Sequence, residues 1–84
     1  MKTIIITTQK ELDKLKKIEA DKEVIIDKNA DLELNIKLDV YGILRINGKL
    51  KTDWKCNKFV SAYDNSKVFA YDNSVTIILY KDKI

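Results

Sequence analysis

Histidine is absent from this 84-residue chain. Its absence excludes Ser-His and Cys-His nucleophile systems and every histidine-based metal site. A single cysteine, Cys56, cannot form an internal disulfide and reads as a small hydrophobe in a reducing compartment. There is no proline and there are only two glycines, so long flexible linkers are not expected. Those glycines, Gly42 and Gly48, stand apart and make no phosphate-binding loop. No apolar run approaches the ~20 residues of a membrane span. The hydrophobic part of "MKTIIITT" is too short for a secretory signal, which makes a cytoplasmic protein the expectation. With these absences no catalytic, cofactor-binding or metal-binding residue is assigned, and a non-enzyme without cofactor is expected.

What the chain does hold is charge and alternation. Charged residues make up 35% and apolar residues 45%, with a net charge of +3. The charges are in blocks: Asp21, Glu23, Asp27, Asp31, Glu33 and Asp39 precede Arg45, Lys49, Lys51, Lys55 and Lys58. If the blocks become neighbouring strands, cross-strand charge pairing explains them, at about 0.2–1 kcal/mol per pair. A chain this short is one domain, residues 1–84, whose core is small enough that uncovered edges matter. It divides into an N-terminal strand and helix over 1–22 and a β-rich part over 23–84.

"KTIIITT" is strand-like in its β-branched residues. In "TQKELDKLKKIE" the period changes. Thr8 and Glu11 have capping-box spacing, and Leu12, Leu15 and Ile18 share a stripe, predicting one amphipathic helix over about 9–19. From Val24 the pattern is β. Leu32, Leu34, Ile36, Leu38 and Val40 alternate with Glu33, Asn35, Lys37 and Asp39, and Asn47-Gly48 predicts a hairpin.

"VSAYDNSKVFAYDNSV", residues 60–75, repeats an octad. Stepping in eights from Val60 reaches Thr52, Leu44, Ile36, Val68 and Thr76. From Ala62 the steps reach Trp54, Ile46, Leu38, Ala70 and Ile78. This phase predicts stacked short strands, two octads to a coil, with Trp54 in the core. The Asp-Asn-Ser corners read as turns.

Over Val60–Val75 the chain resembles the short Ala-Tyr-Asp-Asn-Ser-x-Val-x octad arrays of small bacteriophage and bacterial proteins, broadly similar to bactofilin-type polymers. That resemblance implies an α+β fold: a short parallel β-solenoid (β-helix) capped by the N-terminal strand and the amphipathic helix. It also implies a protein-binding module, most concretely a phage- or mobile-element-encoded inhibitor of a host defence protein such as a CRISPR effector or another nucleic-acid-processing complex. A self-assembling structural solenoid is the alternative. Tyr63, Asp64, Tyr71 and Asp72 are the candidate protein-binding residues, because the tyrosines project opposite to Ala62 and Ala70. A possible basic patch comprises Arg45, Lys49, Lys51, Lys55 and Lys58, but the acidic block beside it disfavours direct nucleic-acid binding. The apolar "VTIILY" suggests a homodimer through the C-terminal end, and no membrane contact is expected.

Overall fold

The computed structural model describes residues 2–71 and, for its backbone, the strand 78–81. The described residues form parallel strands in three sheets. The first holds β1 (Lys2–Ile6), β3 (Lys22–Ile26), β6 (Ile43–Ile46) and β9 (Lys67–Ala70), in that spatial order. The second runs β10 (Ile78–Lys81), β8 (Val60–Tyr63), β5 (Leu38–Val40) and β2 (Lys17–Ile18). The third pairs β4 (Asp31–Glu33) with β7 (Lys49–Lys51). Every pairing between these strands is parallel. One short helix, α1 (Gln9–Lys14), follows β1.

Alternation decides which side of each strand is buried. Ile6, Ile26 and Ile46 are direct neighbours across β1, β3 and β6, as are Val24 and Leu44. In the second sheet Ile18, Val40 and Ala62 form a row, with Leu38 beside Val60. Leu32 lies beside Leu50 in the third. All are buried and, Ala62 excepted, belong to one apolar cluster with Leu12 and Leu34. Burying each branched side chain contributes about 1.5–3 kcal/mol.

This arrangement corrects the expected capped octad solenoid. Residues eight apart do not stack. The two copies of the octad lie in different sheets, Val60–Tyr63 in β8 and Val68 to Tyr71 in and just after β9, joined by the corner at Asp64 and Asn65. Neighbours within the first sheet are twenty residues apart from Ile6 to Ile26 and from Ile26 to Ile46, then twenty-four from Ile46 to Ala70. The added four come from the link between β7 and β8. Residues 52–59 are four longer than residues 34–37, which join β4 to β5. The extra length closes on itself through Asp53 and Lys58, each donating its backbone N–H to the other's carbonyl at 2.8 and 2.9 Å. Trp54 begins a single 3-10 turn within it and is 57% exposed rather than buried. Ile36 and Ala70, inward in the octad phase, are also exposed.

The N-terminal strand is no cap. It is the edge strand of the first sheet. Helix α1 stops at Lys14, five residues short of the expected end at 19, because Lys17 and Ile18 pair with Asp39 and Val40. In that pairing Ile18 is completely buried. The capping box at Thr8 and Glu11 forms. The Asn47-Gly48 hairpin does not: β6 and β7 belong to different sheets. Neither glycine has a positive φ. A Cβ on Gly48 would strike the carbonyl oxygens of Asp27 and Ala30, and one on Gly42 those of Lys22 and Glu19. Both glycines sit where one corner of the chain lies against a corner about twenty residues earlier.

Candidate protein-binding surface

The outward side of the first sheet carries two rows. Thr3, Glu23, Ile43 and Lys67 form one, and Ile5, Ile25, Arg45 and Phe69 the other. An outward face normally alternates to polar residues, but here Ile5 is 55% and Phe69 36% exposed, with Ile25 and Ile43 half-buried beside them. Arg45 ties the face together. Its Nε donates to Glu23 Oε2 at 2.6 Å, and its guanidinium lies 4.6 Å from the centre of the Phe69 ring. Its Nη1 donates to the Tyr71 hydroxyl at 3.5 Å, and Thr3 Oγ1 donates to Glu23 Oε1 at 3.0 Å. The Arg45 hydrogen bond, followed by that from Thr3, lowers the Glu23 pKa, and Glu23 in turn raises that of Arg45. The result is a fixed, planar cation between aliphatic and aromatic surface.

The four predicted binding residues do not converge. Tyr71 is exposed and joins this face through Arg45. Tyr63 belongs to the second sheet, half-buried, stacked on Tyr41 at 4.9 Å and donating to Asp39 Oδ1 at 3.4 Å. Its hydroxyl is the main cause of the raised pKa of Lys37. Asp64 occupies the corner with φ 53°, a turn role. Asp72 lies outside the described residues. The predicted basic patch is likewise divided. Arg45 is engaged on the first sheet, and Lys49 and Lys51 lie in register beside Asp31 and Glu33, as cross-strand charge pairing requires. Lys55 and Lys58 belong to the 52–59 excursion. No continuous basic groove emerges from these five.

Sequence reasoning missed Ile5, Ile25, Ile43 and Phe69. A signal was present for Ile5 and Ile25: "TIII" and "VII" are apolar in both phases of the alternation, and a strand buried on one side has no need of that. Cys56 is exposed, and the Asp53 carboxylate raises its pKa, keeping it a thiol rather than a nucleophilic thiolate. Among the described residues no group of three or more acidic or cysteine side chains is placed to hold a metal. Two hollows open at the corners, one of about 270 Å³ around Asn29 and Asn47 and one of about 210 Å³ around Tyr41 and Asn65. Both fall below the ~300 Å³ from which small-molecule sites usually start. Among the described residues no helix is long and apolar enough to cross a membrane.

No protein-family model matches the chain, and neither a curated protein nor a solved structure matches it.

Proposed function

We propose that this protein is a non-catalytic binding module that engages a partner protein through the outward face of its first sheet. The observation that carries this reading is the exposure of Ile5, Phe69 and Tyr71 around an Arg45 already held in place by Glu23. Aromatic residues and arginine are the side chains that dominate protein interfaces, and a pre-positioned arginine loses little further freedom on binding. The likeness of Val60–Val75 to phage octad arrays supports a more specific form, an inhibitor of a host defence protein acting in the host cytoplasm by surface complementarity.

The test is affinity capture from lysate of the source host with the full chain as bait, alongside Phe69→Lys and Trp54→Ser. Wild type and Trp54→Ser are expected to retain one partner stoichiometrically, and Phe69→Lys to lose it by about tenfold or more. Phe69→Lys loses the ring contact with Arg45, about 0.5–1 kcal/mol at an exposed site, and thermal melts verify that both variants stay folded. Equal retention by Phe69→Lys, or no stoichiometric partner at all, sinks the proposal.

A further inference from the structure

Strand β1 leaves one edge open. Lys2 donates its N–H to the Asp21 carbonyl at 3.1 Å, and the Ile6 carbonyl accepts from Asp27 N at 3.0 Å. Backbone polarity alternates along a strand, so Lys2, Ile4 and Ile6 direct their polar groups toward β3, while Thr3 and Ile5 direct both N–H and C=O away from it. No described strand takes these four groups. Proteins usually blunt such an edge with proline, a bulge, an inward-pointing charge or very short length. Of these β1 has only Lys2, an exposed charge in the phase of Ile4 and Ile6 at the first position of the strand. It pairs without interruption from Lys2↔Lys22 to Ile6↔Ile26, and its inward residues are Ile4 and Ile6. The contrast lies in the same end of the fold, where β2 is only the two residues Lys17–Ile18.

The edge is also self-complementary. A second copy of β1, antiparallel and related by a two-fold axis at Ile4, sets Thr3 opposite Ile5 of the copy, Ile5 opposite Thr3, and Ile4 opposite Ile4. Thr3 and Ile5 are the residues with free polar groups, so both of their pairs are of the hydrogen-bonded kind and all four N–H donors and acceptors are matched. The Ile4 pair is then of the closer, non-hydrogen-bonded kind, with its side chains on the inner side, where Ile4 already packs against the core. Like charge does not oppose this. Lys2 faces Ile6 of the copy, and the two Lys2 residues fall about 14 Å apart along the strands, beyond a Debye length of about 8 Å.

We infer that the protein forms a closed two-fold dimer by antiparallel pairing of β1 with β1 of a second copy. The two first sheets then merge into one, and the outward face described above is doubled across the axis. An isologous contact of this kind uses up the edge and does not propagate into a fibre.

Sedimentation of the full chain across micromolar concentrations reads the outcome directly. The expected wild-type mass is twice 9.8 kDa. Ile5→Pro removes an N–H that the monomer leaves unbonded, so it is expected to keep the β-sheet circular dichroism and sediment at the monomer mass. Ile4→Cys in a Cys56→Ser background sets two thiols at a Cα separation of about 4.5 Å, within disulfide reach, and is expected to oxidise to a covalent dimer. This second variant decides the matter if Ile5→Pro fails to fold. A wild-type chain that stays monomeric, assemblies larger than a dimer, a dimeric Ile5→Pro, or an Ile4→Cys chain that does not cross-link each overturns the inference.

Discussion

Gly48 illustrates how one residue carries information that its neighbours do not explain. Beside Asn47 it reads as a hairpin signal, yet its φ is not positive, and what it supplies is the absence of a Cβ next to the carbonyls of Asp27 and Ala30. The corners are drawn together by hydrogen bonds such as Lys49 N–H to the Ala30 carbonyl at 2.9 Å and Asn47 N–H to the Ile26 carbonyl at 3.0 Å. Even a methyl group forces these corners apart. Gly48→Ala is therefore expected to destabilise the fold by about 1–3 kcal/mol, as overpacking does, although alanine is otherwise the better residue for an ordered chain. Urea denaturation at constant m-value measures it. An unchanged or higher midpoint would mean that the corners are free to separate.

At the scale of the element, α1 occupies the place that a strand would take beside β4. Strand β4 pairs with β7 on one side, and on the other it meets the Gln9 side chain. The Gln9 amide Nε2 donates to the Glu33 carbonyl at 2.7 Å, and its Oε1 accepts from Glu33 N–H at 2.9 Å. One side-chain amide thus stands in for a peptide unit and satisfies Glu33 at the edge of β4, while Leu12 is buried in the core. Gln9→Ala is expected to cost about 1–2 kcal/mol by removing both bonds and to speed amide exchange at Glu33 above that of Leu32. Hydrogen exchange followed residue by residue checks this, and unchanged protection at Glu33 would show that the amide contributes nothing. The 52–59 excursion is the opposite kind of element. It inserts four residues between β7 and β8, displaces no core side chain, and carries Trp54 into solvent.

Across the whole molecule, three carboxylates hold parts of the chain distant in sequence or cap the helix between them. Asp13 accepts from Asn35 and from Gln9, joining α1 to the segment after β4. Glu23 joins β3 to β6 and β1. Glu11 accepts from the backbone and side chains of Thr7 and Thr8. In each case hydrogen bonding to the charged form lowers the pKa: chiefly the Thr7 backbone for Glu11, Asn35 for Asp13 and Arg45 for Glu23. A group whose folded pKa lies below its unfolded value stabilises the fold above the unfolded value and loses that contribution as pH falls through the folded one. Stability is therefore expected to hold near neutrality and to decline from about pH 5 downward. Denaturant midpoints against pH follow the decline, and Glu11→Gln should flatten it. An equal slope in wild type and Glu11→Gln would remove Glu11 from this account.

Much of the inner face was legible in the chain itself. The alternation of Leu32 with Leu34 and of Leu38 with Val40 marks buried positions, and Thr8 with Glu11 marks the helix start, because both are set by the local geometry of strand and helix. The partners were not legible. The hydrogen bonds of a parallel ladder form between backbones and are indifferent to side chain, so alternation says which side of a strand is inward but not which strand lies next to it. The octad does not mark neighbours: β8 and the corner after it, residues 60–66, carry the chain into a different sheet, and the residues beside Val60 are Leu38 and Ile78, not Val68. For the same reason the outward face became visible only when Ile5, Ile25, Arg45 and Phe69 were brought into one row from four separate segments. The sequence by itself determined the buried side of the alternating stretch from Leu32 to Val40, Ile36 excepted, the capping of the helix and the absence of histidine chemistry. Tertiary structure alone decided the three-sheet stacking, the role of the two glycines and the composition of the outward face of the first sheet, because each depends on backbones about twenty residues apart lying side by side.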